Sequence, residues 1–145
     1  MKPSRDRART RFVPQVFVAM ALMLGTAPVL AHDVKVTLTG AEETPAVTTA
    51  ATGGGTIKVE NDKSVSGSVT TKGVVGIAAH IHLGAAGTAG PPIISLTQGP
   101  DGTWTVPAGT KRTDEQYASF KKGDLYVNVH SAAHGSGEVR GQLKP

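Results

Sequence analysis

The side chains with the most chemistry to offer are five histidines, His32, His80, His82, His130 and His134. His80 and His82 sit in the run Gly76-Ile-Ala-Ala-His-Ile-His-Leu83. A strand's period of two puts both imidazoles on one face and Ala79, Ile81 and Leu83 on the other. The same alternation in Asp124-Leu-Tyr-Val-Asn-Val-His130 turns Tyr126, Asn128 and His130 one way and Leu125, Val127 and Val129 the other. On the return through Gly137-Glu-Val-Arg-Gly-Gln-Leu143, residues Glu138, Arg140 and Gln142 line that polar face if His130 stands opposite Glu138. Imidazole nitrogen is a good ligand for copper and zinc, so His80, His82 and His130 form a candidate metal site. Glu138 could orient one of the rings, with Asn128 and Arg140 as further outer partners. The competing reading is a hydrogen-bonded network of these histidines with Glu138 and Arg140 that ties two strands together without metal. His134, beside Gly135, reads as an exposed loop residue.

The elements that must position these residues are mostly short strands. Val34-Lys-Val-Thr-Leu38 alternates, and Thr56-Ile-Lys-Val-Glu60 turns at Asn61-Asp-Lys63 into Ser64–Thr71, a hairpin. After Gly76–Leu83 comes the glycine-rich loop Gly84–Gly90, then strand-like Pro92–Leu96, a turn at Gly99–Gly102, and Thr103–Val106. One helix interrupts them: Thr113 and Gln116 have capping-box spacing, Tyr117 and Phe120 share a face, and Gly123 is the stop. Seven to eight short strands with a single short crossover helix predict an all-β antiparallel sandwich or flattened barrel.

The first 31 residues read as a separate segment. Lys2, Arg5, Arg7, Arg9 and Arg11 precede the apolar stretch Val16–Leu24, about half the ~20 residues that a membrane-spanning helix needs. Val29-Leu-Ala31 supplies a small residue for cleavage, so residues 1–31 are expected to be a secretory signal peptide and residues 32–145 a single domain, periplasmic or secreted. Cleavage after Ala31 would expose His32 as an amine–imidazole chelate, a possible additional ligand. The full chain carries a net charge of +4. All of that surplus lies in the leader, which leaves a neutral domain with no basic patch for nucleic acid or, after cleavage, for a membrane. With no cysteine, the domain has no disulfide to support it.

Other chemistries fare worse. Gly84–Gly90 lacks the Lys-Ser/Thr of a phosphate loop and leads into Pro91-Pro92. Ser131 would face away from His130, so no Ser-His relay can be drawn. Glu42, Glu43 and Asp124 are scattered carboxylates with a solvated or turn role, and Trp104 belongs to the core or covers an edge.

Three blocks resemble the CHRD (chordin) domain family. These are Leu38-Thr-Gly-Ala-Glu-Glu-Thr-Pro-Ala-Val47, Ala79-His-Ile-His-Leu-Gly84 with Gly87 and Gly90-Pro91, and Tyr126–His130 through Gly137–Leu143. Thr44 and Ala46 depart from the family's opening block, which has Val and Pro there. The resemblance implies an extracellular domain with no generally assigned enzymatic activity. His80-Ile-His82 is also similar to the copper-ligand strand of copper-zinc superoxide dismutases. No histidine between His82 and His130 matches that family's bridging and zinc ligands, and no cysteine pair matches its disulfide.

Three functions compete. The first is a non-catalytic exported domain that binds copper or, less favoured, zinc. The second is an extracellular protein- or surface-binding module with structural histidines, using loops such as Gly84–Pro92. The third is a dismutase-like redox enzyme.

Overall fold

The computed structural model describes residues 30–145, so the predicted leader lies almost entirely outside the described residues. Strands β1 (Ala31–Thr39), β2 (Thr52–Glu60), β3 (Val65–Lys72), β4 (Gly76–Leu83), β5 (Pro92–Ser95), β6 (Thr97–Gln98) and β7 (Thr103–Thr105) lead to helix α1 (Asp114–Lys122). Strands β8 (Leu125–Ser131) and β9 (Val139–Leu143) follow, and a 3-10 turn, Gly40–Glu42, leaves β1. All pairings are antiparallel, in the order β5-β4-β8-β9-β1-β2-β3-β7-β6.

The sheet is a nearly closed barrel, because its two ends are halves of one run. Pro92–Ser95 pairs with β4, Thr97–Gln98 pairs with β7, and Leu96 between them donates its N–H to Ala79 O at 2.9 Å. The all-β expectation holds. The nine strands of the described residues exceed the expected seven to eight partly because the expected Pro92–Leu96 strand gives β5 alone, and Thr97–Gln98 just beyond it forms a separate strand on β7.

Alternation sorts the strands into a dry inside and a polar outside. Val34, Val36 and Leu38 of β1, Ile57 and Val59 of β2, and Val127 and Val129 of β8 are buried in one core. Each such side chain contributes roughly 1.5–3 kcal/mol. Trp104 belongs to the same core. The helix forms as its ends require: Thr113 Oγ1 accepts from Gln116 N at 3.2 Å, the Gln116 side chain accepts from Thr113 N at 3.1 Å, and Gly123 closes it with φ 79°. Phe120 on its inner face is fully buried. Among the described residues no helix is long and apolar enough to cross a membrane.

One strand departs from the simple pattern. Every residue of β8 is buried, on the outer face as well as the inner. Tyr126, Asn128 and His130 are covered because loops fold back over that face, and those loops build the site.

Candidate metal centre

Strands β4 and β8 place the three histidines together. The ladder sets Ala78 opposite His130, His80 opposite Asn128 and His82 opposite Tyr126, all on the outer face. A register shift between Gly76 and Ala78 throws Ile77 outward, 61% exposed, and the alternation then runs cleanly through His82. One ring nitrogen from each of His80, His82 and His130 lies within 4.8 Å of the others. Ligation at ~2.0–2.1 Å holds donor nitrogens roughly 3–4 Å apart, so small side-chain rotations would bring all three to one ion.

Hydrogen bonds decide which nitrogen each ring presents. His82 Nδ1 stands 2.8 Å from Gly90 O, and His130 Nδ1 stands 3.0 Å from Gly135 O. A carbonyl can only accept, so both Nδ1 atoms carry the proton and both Nε2 atoms carry the lone pair. His130 Nε2 lies 3.0 Å from His80 Nδ1, which donates to it in the metal-free protein. His82 Nε2 is buried with no hydrogen-bond partner. An orphaned buried acceptor costs about 1–3 kcal/mol, and a bound cation would satisfy it. Burial, more than the neighbouring imidazoles, lowers the pKa of His80; burial also lowers that of His82, against its bond to Gly90. Both shifts favour the neutral rings that ligation needs.

The outer partners differ from those the sequence suggested. The expected pairing of His130 with Glu138 is not formed: the ladder ends at Val129–Val139, and Glu138, just before β9, donates its N–H to Val129 O at 2.8 Å. Its carboxylate, however, accepts from Thr49 Oγ1 at 2.8 Å, and the Ser131 and Thr49 hydroxyls hold its pKa below the ordinary range. Backbone carbonyls, not Glu138, orient the rings.

Arg140 likewise does not bond the histidines. Its guanidinium lies 3.4 Å from the centre of the Tyr126 ring, and that ring stacks on His82 at 4.8 Å and 9°. The same guanidinium donates to Thr88 O at 3.0 Å and Ala85 O at 2.9 Å, while Gln142 donates to Gly84 O at 2.9 Å. Loop 84–90 is thereby fastened over the face, with Gly90 N donating to the Tyr126 hydroxyl at 3.1 Å.

His32 is not brought to the cluster. Its ring meets Phe120 edge-on at 6.1 Å, and it pairs with Val59 at the far end of β1 from Thr39, the residue that pairs with Arg140. Seven residue steps of strand separate His32 from Thr39, about 23 Å at ~3.3 Å per step. The chelate idea assumed a free end, whereas His32 is already part of the ladder. His134 caps the loop after β8, its N–H on Ser131, and lies outside the group of three.

Glu43, read as solvated, is 8% exposed. Burial pushes its pKa up to about 7 against the pull of the Arg140 charge, the Asn128 amide and the Thr44 N–H. Glu43 lies within Leu38–Val47, the opening block that resembles the CHRD family, and that placement was the available signal for its importance.

An all-β barrel with a histidine cluster on one covered face defines the class. Residues 34–143 match the CHRD domain, and the chain belongs to that family. No curated protein and no solved structure matches it.

Proposed function

We propose that this CHRD domain is an exported, non-catalytic metal-binding protein that holds a single copper ion, or less favourably zinc, through His80 Nδ1, His82 Nε2 and His130 Nε2. The observation that carries this reading is the buried, unpartnered Nε2 of His82 in a group of three imidazoles with one ring nitrogen from each within 4.8 Å of the others. A set of imidazoles with no thiolate suits copper and zinc, and copper binds such donors more tightly. Bonds to Gly90 O and Gly135 O pre-orient two of the three rings, as outer partners do in metal sites generally. Export rests on the basic stretch and apolar run before Ala31. Cleavage there would leave His32–Thr39 of β1 paired as described.

Calorimetric titration of copper(II) and zinc(II) into protein beginning at His32 tests the proposal. One ion should bind per chain, and His80→Ala and His130→Ala should each weaken binding by at least about tenfold. Equal affinity in wild type and both variants would refute it. Copper-loaded protein is expected to show no superoxide turnover.

A second reading has its own observation, the 3.0 Å bond that joins His80 on β4 directly to His130 on β8. In that case the histidines fasten strands in a protein- or surface-binding module. On that reading His80→Ala, which removes the bond, lowers the stability of metal-free protein and wild type gains no stability from added copper or zinc, whereas a metal site is stabilised by its ion.

A further inference from the structure

The three imidazoles surround a fourth side chain. Asn128 pairs with His80 on one side and Arg140 on the other, with His130 two residues along its own strand and His82 two along β4 from His80. All four point to the same face, so Asn128, the shortest of them, lies at the floor between the rings. It is 1% exposed.

The orientation of its amide is dictated by what surrounds the nitrogen. Nδ2 donates to Ser136 O at 3.3 Å. Glu43 approaches from the same side, since a methyl group on Gly137 would collide with both Glu43 Oε1 and Asn128 Nδ2. Two acceptors beside the nitrogen force Oδ1 to the opposite side. There it is buried with no hydrogen-bond partner, as is His82 Nε2, and the Asn128 amide neighbours the His82 ring. With the one proton of neutral His82 at Nδ1 for Gly90 O, both orphaned atoms are acceptors; a proton on Nε2 would join them, but burial of the ring opposes that charge. A cation bound by both would satisfy the two at once.

We propose that Asn128 Oδ1 is the fourth donor of the site, making it three nitrogens and one oxygen; this rests on the three-histidine metal reading above. An amide oxygen is a hard donor, so its contribution falls on copper(II) and zinc(II) rather than on copper(I), which soft ligands favour. Asn128 thus selects the divalent state.

The test measures copper(I), copper(II) and zinc(II) affinities of wild type, Asn128→Ala and Asn128→Asp. Asn128→Ala should weaken copper(II) and zinc(II) by about tenfold or more while leaving copper(I) within about twofold. Asn128→Asp, nearly isosteric and anionic, should tighten both divalent ions by about tenfold, and it decides the matter if the alanine variant does not fold. Divalent affinities unchanged in both variants, or copper(I) and copper(II) weakened equally, would overturn the fourth-donor assignment and leave the three-histidine site standing. Wild type that binds no ion would overturn the parent reading instead.

Discussion

At the scale of single residues, the site depends on groups too small or too remote to attract notice. Gly137 has φ 133°, and a side chain there would strike Glu43 and Asn128. Gly137→Ala is therefore expected to cost about 2 kcal/mol or more by urea denaturation, from backbone strain plus displacement of a buried pair. Gly135→Ala, which would meet open space, should stay within about 0.5 kcal/mol. The common face of His80, His82 and His130 was legible from the period of two alone. The ring orientations were not, because the carbonyls that set them come from loop residues Gly90 and Gly135, whose paths no strand pattern specifies. Glu138 was misassigned for a related reason: its actual partner, Thr49, is 89 residues away in sequence. Glu43 was misread because a carboxylate beside a turn is ordinarily wet. Here it is boxed in by Gly137, Asn128 and Arg140.

Among elements, the helix is the most local and was the most readable. Its capping box needs only Thr113 and Gln116, and Thr113→Ala should cost about 1 kcal/mol, read as a lower denaturation midpoint with unchanged slope. Loop 84–90 is the opposite case. Glycines marked where β4 stops, yet the side chains that dock the loop, Arg140 and Gln142, belong to β9. Arg140→Lys keeps the charge but loses the two-pronged hold on Ala85 and Thr88 and the flat stack on Tyr126. Hydrogen exchange should detect the loosening as faster exchange of the Gly90 amide, which is bonded to the Tyr126 hydroxyl. An unchanged rate would mean that the loop holds itself.

For the whole molecule, the sequence pointed to a two-sheet sandwich or a flattened barrel, and closure through Leu96 selects the barrel. The strand expected from the sequence ended at Leu96 and missed Thr97–Gln98, because those two residues carry no pattern of their own and are strand only through their pairing with β7. Global stability should carry the signature of Glu43. Its pKa rises from an ordinary 4.5 unfolded to about 7 folded, so the folded state holds the proton more tightly. Its contribution is most favourable below pH 4.5 and declines as pH rises through 7, by up to about 3 kcal/mol. In metal-free protein, the stability of wild type relative to Glu43→Gln should fall by that order between pH 4.5 and 7.5; a constant difference would show that Glu43 titrates normally. The most direct test of the metal centre is nitrogen-15 NMR of the histidine rings before and after zinc is added. His82 and His130 should start protonated at Nδ1, and zinc should shift their Nε2 signals together with Nδ1 of His80. Zinc that moves only His32 and His134, or leaves the three cluster rings unchanged, would contradict a metal site at His80, His82 and His130.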